Sequence, residues 1–102
     1  SNTGKGQQQI TFTTQITTAG RYDVRLAWSA HPNRATNVPV TIVHGKIRVP
    51  VQVDQTQQPS AAPFETIHTM KLTPGTLTVN VANTGTDGYV IADGLQVQKA
   101  ED

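Results

Sequence analysis

The sequence predicts an all-β chain folded as an antiparallel β-sandwich of about seven strands, and three observations carry that expectation. Thr, Val and Ile are abundant and Gly and Pro recur between them, the composition of strands punctuated by turns. No window keeps apolar residues at i, i+3, i+4 and i+7 for long enough to make a helix. Apolar residues instead alternate with polar ones in short, regularly spaced runs. An up-and-down barrel is the minor alternative.

The first run, Gln9 to Ile16, places Ile10, Phe12, Thr14 and Ile16 on one face. Thr18-Ala19-Gly20 turns the chain into Arg21 to Trp28, with Tyr22, Val24, Leu26 and Trp28 inward and Arg21, Asp23 and Arg25 outward. Val38 to Val43 directs Val38, Val40 and Ile42 to the core. His44-Gly45-Lys46 then reverses the chain, with Gly45 supplying the positive φ of a hairpin. Ile47, Val49, Val51 and Val53 form the next inward row. Pro50 has no N–H for a ladder, which predicts an edge strand or a bulge.

Gln55 to Pro63 contains Pro59 and Pro63 among small and polar residues and reads as a surface loop, the most mobile part of the chain. In Phe64 to Leu72 the parity shared by Phe64, Met70 and Leu72 is broken by Ile67, which predicts a bulge near Ile67-His68. Thr73-Pro74-Gly75 is a turn, Leu77, Val79 and Val81 form an inward row, and Asn83 to Gly88 is a second polar loop. The last run, Tyr89 to Val97, puts Tyr89, Ile91, Asp93, Leu95 and Val97 on one face.

At 102 residues the chain makes one domain. The sandwich is expected over 7–99. Residues 1–6 read as a tag remnant, Ser1-Asn2, with a flexible terminus, and 100–102 as a tail. A net charge of +1 with 15% charged residues provides no basic field for nucleic acid or an acidic membrane surface, so neither is an expected partner. No apolar run approaches the ~20 residues that cross a bilayer as a helix. The chain has no cysteine, which excludes disulfides and thiolate-bound zinc.

The polar loop Ala30 to Val40 is shaped by Pro32 and Pro39, and Asn33 and Asn37 suit a self-bonded turn. Arg34 lies between them with five fixed donors. Asp93 falls in the middle of an apolar inward row, where a bare carboxylate must be paired, bonded to backbone donors, metal-bound or protonated. The favoured arrangement pairs Asp93 with Arg34 or with the backbone of Asn33 to Asn37, a brace between the last strand and this loop. A calcium site is the weaker reading, because no D-x-D-x-D cluster accompanies Asp93. His31, His44 and His68 have no metal-ligand spacing, and no serine or threonine has a nucleophile-elbow context. Catalysis by this chain has no support, and no cofactor or metal is expected.

Gly20-Arg21-Tyr22-Asp23-Val24, Asn33 to Val40, His44, Val53-Asp54-Gln55 and Gly88 to Asp93 together resemble the golvesin and xanthan-lyase carbohydrate-binding-like domain. The departures are Phe64 at a position where tryptophan is usual, His68 in place of glycine, Gly94 in place of alanine, and a shortened turn at His44-Gly45-Lys46. The resemblance implies a jelly-roll or galactose-binding-like sandwich, serving as a non-catalytic accessory module of a larger bacterial enzyme that works outside the cell or in the periplasm. It also implies a parent catalytic domain in the same natural chain. The loops Asn33 to Asn37 and Thr84 to Gly88 look closest to the branch carried by FAD-dependent oxidoreductases, whose flavin would sit elsewhere in that parent. A polysaccharide is the implied ligand, and Trp28 and Tyr89, at strand ends beside the polar loops, are the candidate contact rings with Arg34 and Asn37. The alternative is a docking or spacer domain, packed against the parent and without a glycan of its own.

Overall fold

The computed structural model describes residues 8–100. The tag remnant and flexible terminus expected over 1–6 lie outside them, as do Glu101 and Asp102 of the expected tail. Among the described residues are seven strands and no helix: β1 (Gln9–Ile16), β2 (Gly20–Ala27), β3 (Val38–His44), β4 (Ile47–Val53), β5 (Phe64–Leu72), β6 (Gly75–Ala82) and β7 (Gly94–Lys99). They form two antiparallel sheets, ordered β1-β6-β3-β4 and β5-β2-β7. The all-β sandwich expected from the alternation is the fold observed.

The core is built from most of the inward rows; Ile10 and Ile47, expected in them, lie at strand ends and are exposed. Val40 and Ile42 pair with Val81 and Val79 across β3 and β6, while Val24 and Leu26 of β2 are fully buried with Leu77 and Leu72. Burying each such side chain contributes roughly 1.5–3 kcal/mol, which makes these rows the main source of stability. Local features follow their residues too. β4 is an edge strand, where the missing N–H of Pro50 costs no ladder bond. Gly45 turns the β3–β4 hairpin at φ 59°. The β2–β5 register slips between Val24 and Arg25, leaving Ile67 as the extra residue of the bulge.

The bulge also corrects the parity of Phe64. Beyond it, Phe64 pairs with Ala27 on the outer face of the smaller sheet, where the Arg25 guanidinium lies 5.7 Å from its ring centroid. One extra residue moves every following side chain to the other face. His44 is a buried polar residue that closes one end of the larger sheet. Its Nδ1 lies 3.0 Å from the Thr76 carbonyl, and its Nε2 accepts the Thr73 N–H at 3.2 Å, a pattern that defines the Nδ1–H tautomer.

The largest departure is at the last strand. β7 begins at Gly94, and Tyr89 to Asp93 run outside the sheet, where Tyr89 makes a parallel bridge with Arg34. Period-2 alternation does not govern such a stretch, so Val90 is buried while Tyr89 and Asp93 are exposed. Asp93 donates its N–H to the Ala27 carbonyl at 2.9 Å, and its carboxylate bonds neither Arg34 nor the loop backbone. The buried Asp93 expected from parity is therefore corrected to a solvated one.

Candidate functional site

The polar loops at one end of the sandwich meet through backbone first. Tyr89 N–H donates to Asn33 O at 2.9 Å and Ala35 N–H to Tyr89 O at 2.7 Å, which seats the 30–40 loop beside the segment entering β7. Gly88 allows this approach, since a Cβ there would lie 2.7 Å from the Arg34 carbonyl oxygen and 2.8 Å from that of Asn33. Side chains then complete the junction. Thr36 donates its N–H at 2.8 Å and its hydroxyl at 2.5 Å to the two carboxylate oxygens of Asp87. Asn37 accepts the Asp87 N–H and donates to the Gly85 carbonyl, both at 3.1 Å.

A carboxylate thus braces the two loops, and it is Asp87 rather than Asp93. The signal that could have found it is the pairing of β3 with β6: antiparallel strands put the start of one and the end of the other together, and with them Thr36-Asn37 and Asp87. Replacing Asp87 with alanine is expected to lower stability by about 1–2 kcal/mol, the worth of a pair of charge-assisted bonds at an exposed site. Asp93→Ala is expected to cost under about 0.5 kcal/mol. Urea melts of the two variants check the ranking, and equal losses would show that the Asp87 bonds contribute nothing.

Four of the residues expected at a ligand surface or brace, Asn33, Arg34, Asn37 and Tyr89, come together here. Tyr89 is 42% exposed. Arg34 donates Nε to the Ser29 carbonyl at 3.2 Å and Nη1 to Asn33 Oδ1 at 3.1 Å, which leaves its second terminal amine unused among the described residues. Trp28 is elsewhere. It is 3% exposed, with its indole N–H donated to the Gln57 carbonyl at 2.9 Å, so its ring is not the half-open platform expected at a rim.

Trp28 is among the residues lining a cleft of about 360 Å³ between β4 and β5, an edge strand of each sheet. Gln57 and Gln58 of the 55–63 segment line one side of the cleft, and this segment, expected to be the most mobile, is bonded to the frame at several of its residues. Gln55 is 0% exposed and clasps the backbone of Ile91, with its Nε2 donating to the carbonyl at 2.6 Å and its Oε1 accepting the N–H at 3.0 Å. Asp54 Oδ1 accepts the Thr56 N–H at 2.9 Å and its hydroxyl at 2.5 Å. The Ser60 N–H bonds Glu65 Oε1 at 2.6 Å, and Trp28 N–H bonds the Pro63 carbonyl at 3.2 Å. Polarity and alternation do not distinguish Gln55 from Gln57 or Gln58; the Val53-Asp54-Gln55 motif is the one sequence signal that sets it apart, and its burial comes from Ile91, 36 residues away.

Among the described residues no three His, Asp or Glu side chains come close enough to hold a metal ion. Tyr89, Arg34 and the second carboxylate oxygens of Asp54 and Glu65 are equipped to contact a polar ligand.

Comparison with known proteins agrees with this architecture. The chain is 35% identical over 99 residues to a xanthan lyase of Bacillus sp. (strain GL1), an alignment covering 93% of the chain and 10% of that protein. The solved structure of a Paenibacillus xanthan lyase superimposes with a TM-score of 0.87 at 34% identity, covering 98% of this chain and 10% of that one. The chain therefore spans about a tenth of the length of the relatives it matches. The profile of the Golvesin C-terminal domain matches residues 1–99, and the chain belongs to that family.

Proposed function

We propose that this domain is a non-catalytic accessory module of a larger exported, polysaccharide-active enzyme, and that polysaccharide meets it at the loop face around Tyr89. The observation that carries the reading is the 42% exposure of Tyr89, whose backbone is held by bonds to Asn33 and Ala35 beside Arg34 and Asn37. An aromatic ring with a fixed base offers the C–H face of a sugar a stacking surface at little entropic cost. Around it, the unused Arg34 amine can donate to sugar oxygens. Asn37 acts behind this surface, holding Asp87 and Gly85 in place. The similarity to xanthan lyases favours a polysaccharide-active parent, working extracellularly, over the flavin-dependent oxidoreductase suggested by the loop motifs.

The second reading, a docking or spacer domain against the parent, is favoured by one observation, the burial of Trp28. Affinity electrophoresis in gels containing xanthan separates the two. The chain is expected to be retarded, and Tyr89→Ala to lose at least tenfold of that affinity at an unchanged melting temperature. Migration unaffected by xanthan rejects the glycan reading and leaves docking.

A further inference from the structure

We infer that the cleft between β4 and β5 is a second ligand site and that its ligand is an uncharged pyranose chain. The inference rests on the reading above that the domain contacts polysaccharide, and it assigns a different surface. At about 360 Å³ the cleft falls within the ~300–1,000 Å³ range of small-ligand sites. Val51 and Ile67 supply apolar wall, suited to the C–H face of a sugar.

The polar groups decide the ligand's chemistry. Asp54 and Glu65 each spend one oxygen on the 55–63 segment, and the second oxygen of each has no partner among the described residues. The side chains of Gln52, Gln58 and Thr66 also line the cleft, and none has a hydrogen-bond partner among the described residues. Carboxylate oxygens accept only, whereas amides accept and donate, so the set matches vicinal hydroxyls, which do both. No lysine, arginine or histidine is among the described lining residues. A uronic acid would bring its charge against two carboxylates with no cation to offset it. The site therefore selects a neutral sugar against an acidic one.

The cleft carries its own reporter, because Trp28, the chain's single tryptophan, is among the residues that line it. The experiment titrates the 102-residue chain with cello-, manno- and xylohexaose and with oligogalacturonate, reading tryptophan emission and calorimetry. At least one neutral hexaose is expected to bind and shift the emission, with oligogalacturonate at least tenfold weaker. Gln52→Ala/Gln58→Ala, which removes two exposed amides with no bonds to the frame, is expected to weaken binding at least tenfold with the melting temperature unchanged. Tyr89→Ala is expected to leave hexaose binding intact. Hexaose binding that survives the double variant overturns the cleft assignment while leaving the glycan reading standing, and so does equal or tighter binding of oligogalacturonate. Binding of none of the hexaoses overturns the cleft, whereas retardation by xanthan still decides the loop face separately.

Discussion

Gln55→Leu is expected to lower the unfolding free energy by about 3–5 kcal/mol. Leucine keeps the volume but removes both hydrogen-bonding atoms, leaving the Ile91 carbonyl and N–H facing an apolar side chain at a site where Gln55 is fully buried. Each stranded backbone group costs roughly 1–3 kcal/mol. Against the ~5–15 kcal/mol that holds a typical domain together, the loss is large. It also reaches further than one loop. Gln55 donates its own N–H to the Ala35 carbonyl at 2.9 Å, so this residue joins the end of β4, the 30–40 loop and the segment entering β7. Urea melts should show a lower midpoint at an unchanged slope. Gln55→Glu serves as a second test, since it keeps the acceptor for the Ile91 N–H and turns a carboxylate oxygen toward the Ile91 carbonyl. It should be no better tolerated than leucine. A loss under about 1 kcal/mol for either variant would mean that water takes over the bonds to Ile91.

Gly88→Ala is the second large effect, expected at about 3 kcal/mol. Gly88 is not among the positive-φ glycines, so alanine meets no penalty from its own backbone dihedral. The penalty is contact. The added methyl would lie 2.7 Å from Arg34 O, 2.8 Å from Arg34 C and 2.8 Å from Asn33 O, all backbone atoms that cannot rotate away. Overpacking of this kind typically costs ~1–3 kcal/mol, and here relief requires the Asn33–Tyr89 and Tyr89–Ala35 bonds to lengthen as well. Amide hydrogen exchange at Tyr89 and Ala35 should accelerate in the variant. Gly94→Ala is the control: its added methyl would meet only the tip of the Phe64 ring at 4.0 Å. In a strand, alanine in place of glycine reduces the freedom of the unfolded chain, so this change should be neutral or slightly stabilising. Matching losses at the two glycines would show that the close approach at Gly88 is not under steric control.

Both residues bear on how the loop face works. Tyr89 is held by two backbone bonds that Gly88 makes room for, and Gln55 anchors the chain just after it at Ile91. Perturbing either should displace the Tyr89 ring as well as lower stability. Tyr89→Ala removes the ring without disturbing that frame, so only the latter reports on binding alone.

By itself the sequence determined the strands and several of their local features. Alternation in Gln9–Ile16, Ile47–Val53 and Phe64–Leu72 is a property of adjacent residues, and these spans are strands in the structure. Pro50 on an edge, Gly45 in a turn and the bulge at Ile67 are equally local, set by a missing N–H, a missing Cβ and a break in parity. Family motifs added the likeness that the comparisons bear out. The tertiary structure decided which polar residues carry the site. Asp93 shares the parity of an apolar row yet sits in solvent, because Tyr89 to Asp93 precede β7: Tyr89 bridges to Arg34 of a loop, and Asp93 meets the end of β2 only through its backbone N–H. Asp87 and Gln55 lie in polar stretches where alternation carries no information, and each acquires its role from a partner 51 or 36 residues away. Trp28 follows the inward parity of its strand and joins the core, but the partner of its indole N–H is the Gln57 carbonyl, on a segment that follows β4. A two-residue period reports which face a side chain takes within a strand. It holds no record of which loops the strand pairing brings together, and in this domain the candidate binding surfaces are built from those loops and the edges beside them.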